Sequence, residues 1–378
     1  MSSNNVKLFL SAAGSGKTKH IIDSALSTKN CSVLITTFTD NNTREIKNRI
    51  ISAHVECSSS INVLPWFTFL LRDAVRPYQG FKVTARIRGL DFVSGGRSAT
   101  RWVNGRFSQR AESDIRFYLN KSNMIYSDKL SMFACKVDEM AEGLVVDRIA
   151  RLYDYIFIDE VQDLNGYDLE FLHKLAKSCK NLIMAGDVRQ VAYNTHIDPL
   201  YKKYANGEIR EFFKNEVKDV NIVIDTTKLS GSYRCCEKIC QVSNQLFPHL
   251  PPSKSNKIVA DCETHCGVYY VRKKNIKSYV DEFHPQELRY SVRTEVVNKA
   301  YTFGDSKGMG FKRVVIYPTD DYLQWLNNKS ATIKPASRHK LYIAITRAEI
   351  SVAFVVPDNF NLVNNHLQIE EWIPGLFG

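Results

Sequence analysis

The chain is punctuated by short apolar runs, each bounded by polar residues. Lys7–Leu10, Val33–Thr36, Tyr155–Ile158, Leu182–Ala185, Val314–Tyr317 and Ser351–Val356 read as strands. Helical spacing lies between them. Ile21, Ile22, Ala25 and Leu26 share one face after the first strand, and Ile46 and Ile50 share another within a polar segment of mixed charge from Thr43 to Arg49. A further helix is expected through Leu341–Ala348. Strands alternating with helices predict parallel α/β sheets. The pattern occurs twice, giving two expected domains, 1–225 and 226–378. No low-complexity linker is visible, and Leu250–Asn256, with Pro251 and Pro252, is the clearest turn-like break.

The first strand runs into Ser11-Ala12-Ala13-Gly14-Ser15-Gly16-Lys17-Thr18, and a helix follows. Strand, glycine loop and helix is the context a phosphate-gripping loop requires. Glycines let backbone N–H groups close around phosphates, and the helix N-terminus adds partial positive charge. Lys17 would reach the β- and γ-phosphates, and Thr18 would ligate magnesium. The strict pattern begins with Gly; Ser11 holds that place here, and serine is small enough for the loop to survive.

Tyr155–Ile158 ends in Asp159-Glu160. A parallel strand delivers residues at its carboxyl end to the ligand side of the sheet. Asp159 would hold magnesium, directly or through water, and Glu160 would polarise the attacking water. Leu182–Ala185 ends in Gly186-Asp187-Val188-Arg189-Gln190, where Gln190 can orient water or report the γ-phosphate. No second phosphate loop accompanies the later strands, so the second domain is expected to lack its own nucleotide site.

Composition narrows the partner. The 378 residues are 44% hydrophobic and 24% charged, with a net charge of +11, and a basic chain of this size commonly meets polyanions. Between Arg72 and Lys121 stand eleven basic residues against four acidic ones. Phe81, Phe92, Trp102, Phe107 and Phe117 are threaded among them. Cations grip phosphates and aromatic faces stack on bases, a mixture suited to single strands. A solvated surface over a small aromatic core is the alternative. No run of about 18 apolar residues predicts a membrane span, and Met1–Val6 lacks an apolar targeting core, so a soluble cytoplasmic or nucleoid-associated protein is expected. Nine scattered cysteines fit reduced thiols. Cys235, Cys236, Cys240, Cys262, His265 and Cys266 could assemble a metal site, but they lack the two-residue gap of zinc knuckles; small thiols are the alternative.

Together these segments resemble the UvrD/PcrA/Rep family of superfamily 1 helicases. Ala12–Thr18 resembles helicase motif I. Ile35–Thr39 with Asn41 and Glu45 resembles motif Ia, Ile158–Leu164 motif II, and Ala185–Tyr193 motif III. Gly231–Arg234, Ser306–Phe311 and Tyr342–Ala348 resemble motifs IV, V and VI. The resemblance implies two RecA-like domains with ATP bound between them and Mg2+ as cofactor. It implies that Arg234 and Arg347 reach the γ-phosphate and that Gly308 joins the nucleotide contacts. Thr37, Phe38, Thr39 and Tyr193 would touch or stack on single-stranded or tailed duplex DNA. Phe38 and Tyr193 could each instead be core aromatics; Trp66, Phe67 and Phe69 read as core rather than contact.

Departures from the family carry information. No glutamine precedes Lys7 to read adenine, and Gly310 stands where motif V usually carries an acidic residue. Arg234 to Lys307 spans 73 positions, too few for the large subdomain that relatives insert there. A basic insertion in the first domain, about 71–135, remains. The function expected is an ATP-dependent DNA helicase or translocase, typically 3′→5′. The alternative is an NTPase switch, regulated by DNA or by a nuclease or repair partner. The tail Leu362–Gly378, with Leu367, Ile369, Trp372, Ile373 and Leu376, either packs on its own domain or docks on such a partner.

Overall fold

A computed structural model describes residues 4–53, 60–93, 98–191, 199–260 and 265–375. The chain forms two compact units. One comprises Met1–Leu10, Lys17–Gly186 and Asn194–Asp225; the other comprises Ser11–Gly16, Asp187–Tyr193 and Thr226–Gly378.

The first unit opens with β1 (Asn5–Leu10), α1 (Lys17–Leu26), β2 (Ser32–Thr37), α2 (Asp40–Ser52), β3 (Ser60–Pro65) and α3 (Trp66–Phe69). Four short strands follow: β4 (Gly89–Asp91), β5 (Thr100–Val103), β6 (Arg106–Gln109) and β7 (Met124–Tyr126). Then come α4 (Leu130–Met140), α5 (Leu144–Leu152), β8 (Tyr155–Ile158), α6 (Tyr167–Ser178), β9 (Asn181–Gly186), α7 (Ile209–Glu216) and β10 (Ile222–Asp225). Six strands make one sheet in the order β10-β1-β9-β8-β2-β3, and every pairing is parallel. Consecutive residues Val33, Leu34 and Ile35 are all fully buried, as a sheet covered on both faces demands. The parallel register brings the carboxyl ends of β1, β9, β8 and β2 to one edge: Leu8 lies opposite Met184, Met184 opposite Ile158, and Ile158 opposite Thr36. Thr37, the last residue of β2, and Asp159, directly after β8, therefore lie at the same edge.

Residues 76–129 leave the sheet. β4 and β7 pair in parallel, and β5 and β6 form a separate antiparallel hairpin. The base of this excursion is fixed by a polar knot around the buried Asp73 carboxylate. Tyr153 donates to Asp73 at 2.8 Å, Arg72 donates to Asp73 at 2.8 Å, and Arg148 donates to the Asp73 carbonyl at 3.1 Å.

The second unit contains β11 (Gly231–Ser232), α8 (Glu237–Asn244), β12 (Lys254–Ser255), β13 (Gly267–Arg272), α9 (Ile276–Phe283), β14 (Gln286–Arg289) and β15 (Ala300–Thr302). These lead to β16 (Phe311–Tyr317), α10 (Asp320–Asn327), α11 (Pro335–Ile345), β17 (Ala348–Val356) and β18 (Glu370–Glu371). Its parallel sheet has the order β15-β14-β16-β17-β13-β18. Side chains alternate between two cores. Val314, Ile316, Val352 and Phe354 enter one, while Val315, Tyr317, Ala353 and Val355 enter the other, as a period of two requires. The tail packs on this unit: β18 pairs with β13, Leu367 and Ile369 are buried, and Trp372 sets its ring against Tyr279 at 5.1 Å.

The expected helix through Leu341–Ala348 ends earlier, at Ile345. Thr346 turns its hydroxyl back onto the Tyr342 carbonyl at 2.8 Å, and Ala348 already opens β17. Cys235, Cys236 and Cys240 are buried in the apolar core. His265 is stacked between Tyr269 and Phe283, each 4.0 Å away. No group of three or more His, Cys, Asp or Glu side chains converges as a metal site among the described residues; Cys262 lies outside them.

Candidate nucleotide site

In the first unit the site grows from two chain ends. α1 begins at Lys17 and presents Thr18 in its first turn; β8 ends just before Asp159. The Thr18 hydroxyl donates to Asp159 Oδ2 at 2.7 Å. The Asp159 N–H donates to the Thr36 carbonyl at 2.9 Å, which holds the residue at the sheet edge. Lys17 and Asp159 are both buried. Burial pushes the Asp159 carboxyl up to about 6, and the adjacent Glu160 charge adds to the rise, while the Thr18 hydrogen bond and the Lys17 charge oppose it.

Glu160 has a φ of +57°, a left-handed conformation that costs a non-glycine residue energy. Its N–H donates to Asp159 Oδ1 at 3.0 Å, and Gln162 Nε2 donates to Glu160 Oε2. The strained turn thus sets the two carboxylates side by side and aims each separately. Gln162 can approach because residue 186 is glycine: a Cβ there would stand 2.6 Å from Gln162 Oε1. A pair of carboxylates beside a hydroxyl is a set of hard oxygen ligands, and the upward push on Asp159 is the electrostatic cost that a divalent cation would relieve. The chemistry of these residues fits Mg2+, which Thr18 and Asp159 would hold.

In the second unit, Ser11–Gly16 makes its own contacts. Ser11 Oγ and Ser15 Oγ are 2.9 Å apart, so the serine in place of glycine is used within the loop. The Ala13 N–H donates to the Tyr342 hydroxyl at 3.2 Å, and the Tyr233 N–H donates to the Gly14 carbonyl at 2.8 Å. Gly14 has a φ of +71°, and a Cβ there would stand 2.6 Å from both Arg234 Cβ and Ser232 Oγ. Gly14 is therefore required twice, for its backbone and for that close approach.

The same unit carries a buried network. Arg347 donates through Nε to the Ile343 carbonyl at 3.2 Å, through Nη1 to the Met309 carbonyl at 3.0 Å, and through Nη2 to Gln190 Oε1 at 2.7 Å. Gln190 Nε2 donates to Asp187 Oδ2 at 2.7 Å, and Lys307 donates to the Gln190 carbonyl at 2.8 Å. His339 Nδ1 lies 2.9 Å from the Arg189 carbonyl. Gly308, at a φ of +88°, directly follows Lys307. Arg234 Nη1 reaches the Thr346 carbonyl at 3.5 Å.

Among the residues expected to touch nucleic acid, Thr37 is buried and Thr39 caps α2, accepting from the Asn42 N–H at 3.2 Å. Phe38 is half-buried, edge-on to Phe67 at 5.4 Å. Tyr193 lies outside the described residues. Sequence reasoning assigned no role to Asp187, Lys307 or His339. The first two sit inside recognised motifs; a single histidine on a helix gives no pattern to find. It also missed Glu349. A Cβ on Gly310 would stand 3.8 Å from Glu349 Oε1, so a carboxylate does stand beside the position where the expected acid is missing. Lys257 holds its other oxygen at 2.9 Å.

Residues 1–75 and 104–195 match the UvrD/REP helicase N-terminal domain. The residues left out between these two blocks fall in the excursion from the sheet. A probable DNA helicase of Mycoplasma pneumoniae is 23% identical over 307 residues, 68% of this chain and 55% of that protein. An ATP-dependent helicase/nuclease component of Alkaliphilus metalliredigens is 31% identical over 125 residues, 32% of this chain and 10% of that protein. The chain carries a UvrD/REP helicase N-terminal domain. This UvrD-like chain spans about half the length of the Mycoplasma relative and a tenth of the Alkaliphilus protein. A crystal structure of the arterivirus nonstructural protein 10 helicase covers 94% of this chain and 60% of its own, with a TM-score of 0.45 and 12% identity. Among the described residues, no helix of the UvrD-like chain is long and apolar enough to cross a membrane.

Proposed function

We propose that the chain hydrolyses ATP to move along single-stranded DNA, with 3′→5′ polarity. The observation that carries this reading is the Thr18–Asp159 hydrogen bond beside the left-handed Glu160. A strained pair of adjacent carboxylates at the end of a parallel strand, following a glycine loop, is the equipment of triphosphate hydrolysis.

Ser11–Thr18 takes the triphosphate, its backbone N–H groups and Lys17 facing the phosphate oxygens. Thr18 and Asp159 hold Mg2+, which when bound neutralises phosphate charge. Glu160 accepts a proton from the attacking water, and Gln162 fixes the carboxylate that does so. Gln190 and Arg347 respond to the γ-phosphate as one bonded unit, and Arg234 adds positive charge. The exposed ring of Tyr233, beside the Gly14 carbonyl that its N–H holds, offers a face to the base; stacking of this kind accepts any base.

A second reading, an NTPase switch that binds DNA or a nuclease partner without unwinding, is favoured by one observation. Among the described residues from 235 to 306, no helix or strand exceeds eight residues, and β13, β14 and β15 belong to the main sheet. Steady-state ATP and GTP hydrolysis with and without single-stranded DNA separates the two, with Lys17→Ala as the blank. Strong stimulation supports a translocating motor, and hydrolysis indifferent to DNA supports the switch.

A further inference from the structure

We propose that the β5–β6 hairpin is a base-stacking finger for single-stranded nucleic acid, a proposal that rests on the nucleic-acid-dependent reading above. The two strands pair Trp102 directly with Phe107 and Val103 with Arg106. Asn104 and Gly105 close the turn, both at positive φ (51° and 75°), the geometry of a tight two-residue hairpin. Cross-strand partners share a face. Trp102 and Phe107 therefore occupy one face, and Arg101 and Arg106 occupy the other.

Trp102 is 63% exposed and Phe107 is 62% exposed. They do not form the small core of the excursion; that role falls to Phe117 and Tyr118, which are buried. The exposed rings meet at 4.8 Å with an interplanar angle of 77°. In an edge-to-face pair the edge ring keeps both its faces uncovered, so the hairpin presents a flat π surface to solvent.

Charge decides what covers it. The reverse face carries two exposed arginines, and the stretch holds eleven basic residues against four acidic ones. An occupant needs negative charge on one side and flat apolar faces on the other. Unstacked nucleobases on a phosphate backbone meet both needs; duplex bases are already stacked, and an apolar protein face does not meet the arginines.

The structure supplies its own reporter. Of the four tryptophans, Trp66, Trp325 and Trp372 are buried and Trp102 is exposed. Intrinsic fluorescence of the full chain is titrated with oligothymidylate and, separately, with oligouridylate. Quenching is expected in the wild type. Trp102→Ala/Phe107→Ala should lose the quench and weaken binding, followed by DNA-stimulated ATP turnover, roughly tenfold, a stacking loss for about one base. Trp102→Phe should retain affinity. Arg101→Gln/Arg106→Gln should flatten the logarithmic salt dependence by about 0.7 per lost phosphate contact. Saturating DNA should restore turnover in every variant, since none touches the nucleotide site. Equal losses with both oligomers support the stacking chemistry, and the tighter oligomer names the strand. If the wild type responds to DNA but the double alanine variant binds equally well, the hairpin proposal falls alone. If neither wild-type fluorescence nor turnover responds to any oligomer, the nucleic-acid reading falls with it.

Discussion

Arg347 and Gln190 are joined by a 2.7 Å hydrogen bond inside the second unit, and the same glutamine donates to Asp187 at 2.7 Å. One amide therefore uses its acceptor for a cation and its donor for a carboxylate, and both partners are buried. Neither Ala nor Glu reproduces that division of labour.

Arg347→Ala should lower turnover at saturating ATP by about 10³-fold, the scale of a lost arginine finger. Arg347→Lys should recover little, because one ammonium cannot serve three acceptors in a fixed fork. Gln190→Glu should also fall sharply, since it sets a second carboxylate against Asp187. Steady-state kinetics, with circular dichroism as the folding control, checks all three.

Glu160→Gln should bind nucleotide within a few-fold of wild type yet hydrolyse it about 10²- to 10⁴-fold more slowly, the range of general-base loss. Nucleotide retention on gel filtration together with single-turnover rates reads both quantities. Normal hydrolysis would remove Glu160 from its assigned role.

Gly186→Ala tests the support behind Glu160. The added methyl meets Gln162 Oε1 at 2.6 Å, so Gln162 must release the Glu160 carboxylate. Turnover should drop while KM for ATP changes little, because the phosphate loop is untouched. Equal losses in binding and turnover would mean that the strand itself had shifted.

His265 gives a pH signature. Burial first, then the positive charge of Arg313, lowers it from 6.5 to about 4. Its Nε2 meets the Tyr279 hydroxyl at 2.8 Å, between the rings of Tyr269 and Phe283. A histidine with a depressed folded pKa binds its proton more readily when unfolded. Its contribution is complete above about pH 6.5 and is lost as pH falls toward 4. From pH 7 to 5 the wild type should lose about 2 kcal/mol that His265→Phe does not lose. Denaturant melts of both proteins at the two pH values measure the difference.

The central strands were legible because burial on both faces makes them unbroken apolar runs. β3, β10, β15 and β18 were not. They lie at or beside sheet edges, are short, and carry polar residues on faces that water reaches. β13 was missed for another reason: Tyr269 and Tyr270 interrupt an otherwise aliphatic run, although both rings are buried. Within the site, the loop and the acidic pair were readable from local spacing. The Gln190 network was not, because Lys307, His339 and Arg347 come from distant segments and meet Arg189 and Gln190 only through the fold. Nor does sequence announce that Glu160 is left-handed; that follows from what Asp159 and Gln162 demand of it.

The order of strands also constrains how the protein is made. β1 precedes the other strands of its sheet along the chain, yet its two neighbours are β9 and β10, with Val6 opposite Ile222. Such non-local pairing is slow and leaves edges bare while it waits. On the ribosome, β1 stays without either sheet neighbour until β9 has emerged, and keeps one edge bare until β10 has. Any pause in translation before Gly186 has emerged therefore holds an apolar, unpaired segment in reach of chaperones, whereas a later pause leaves only one of its edges open.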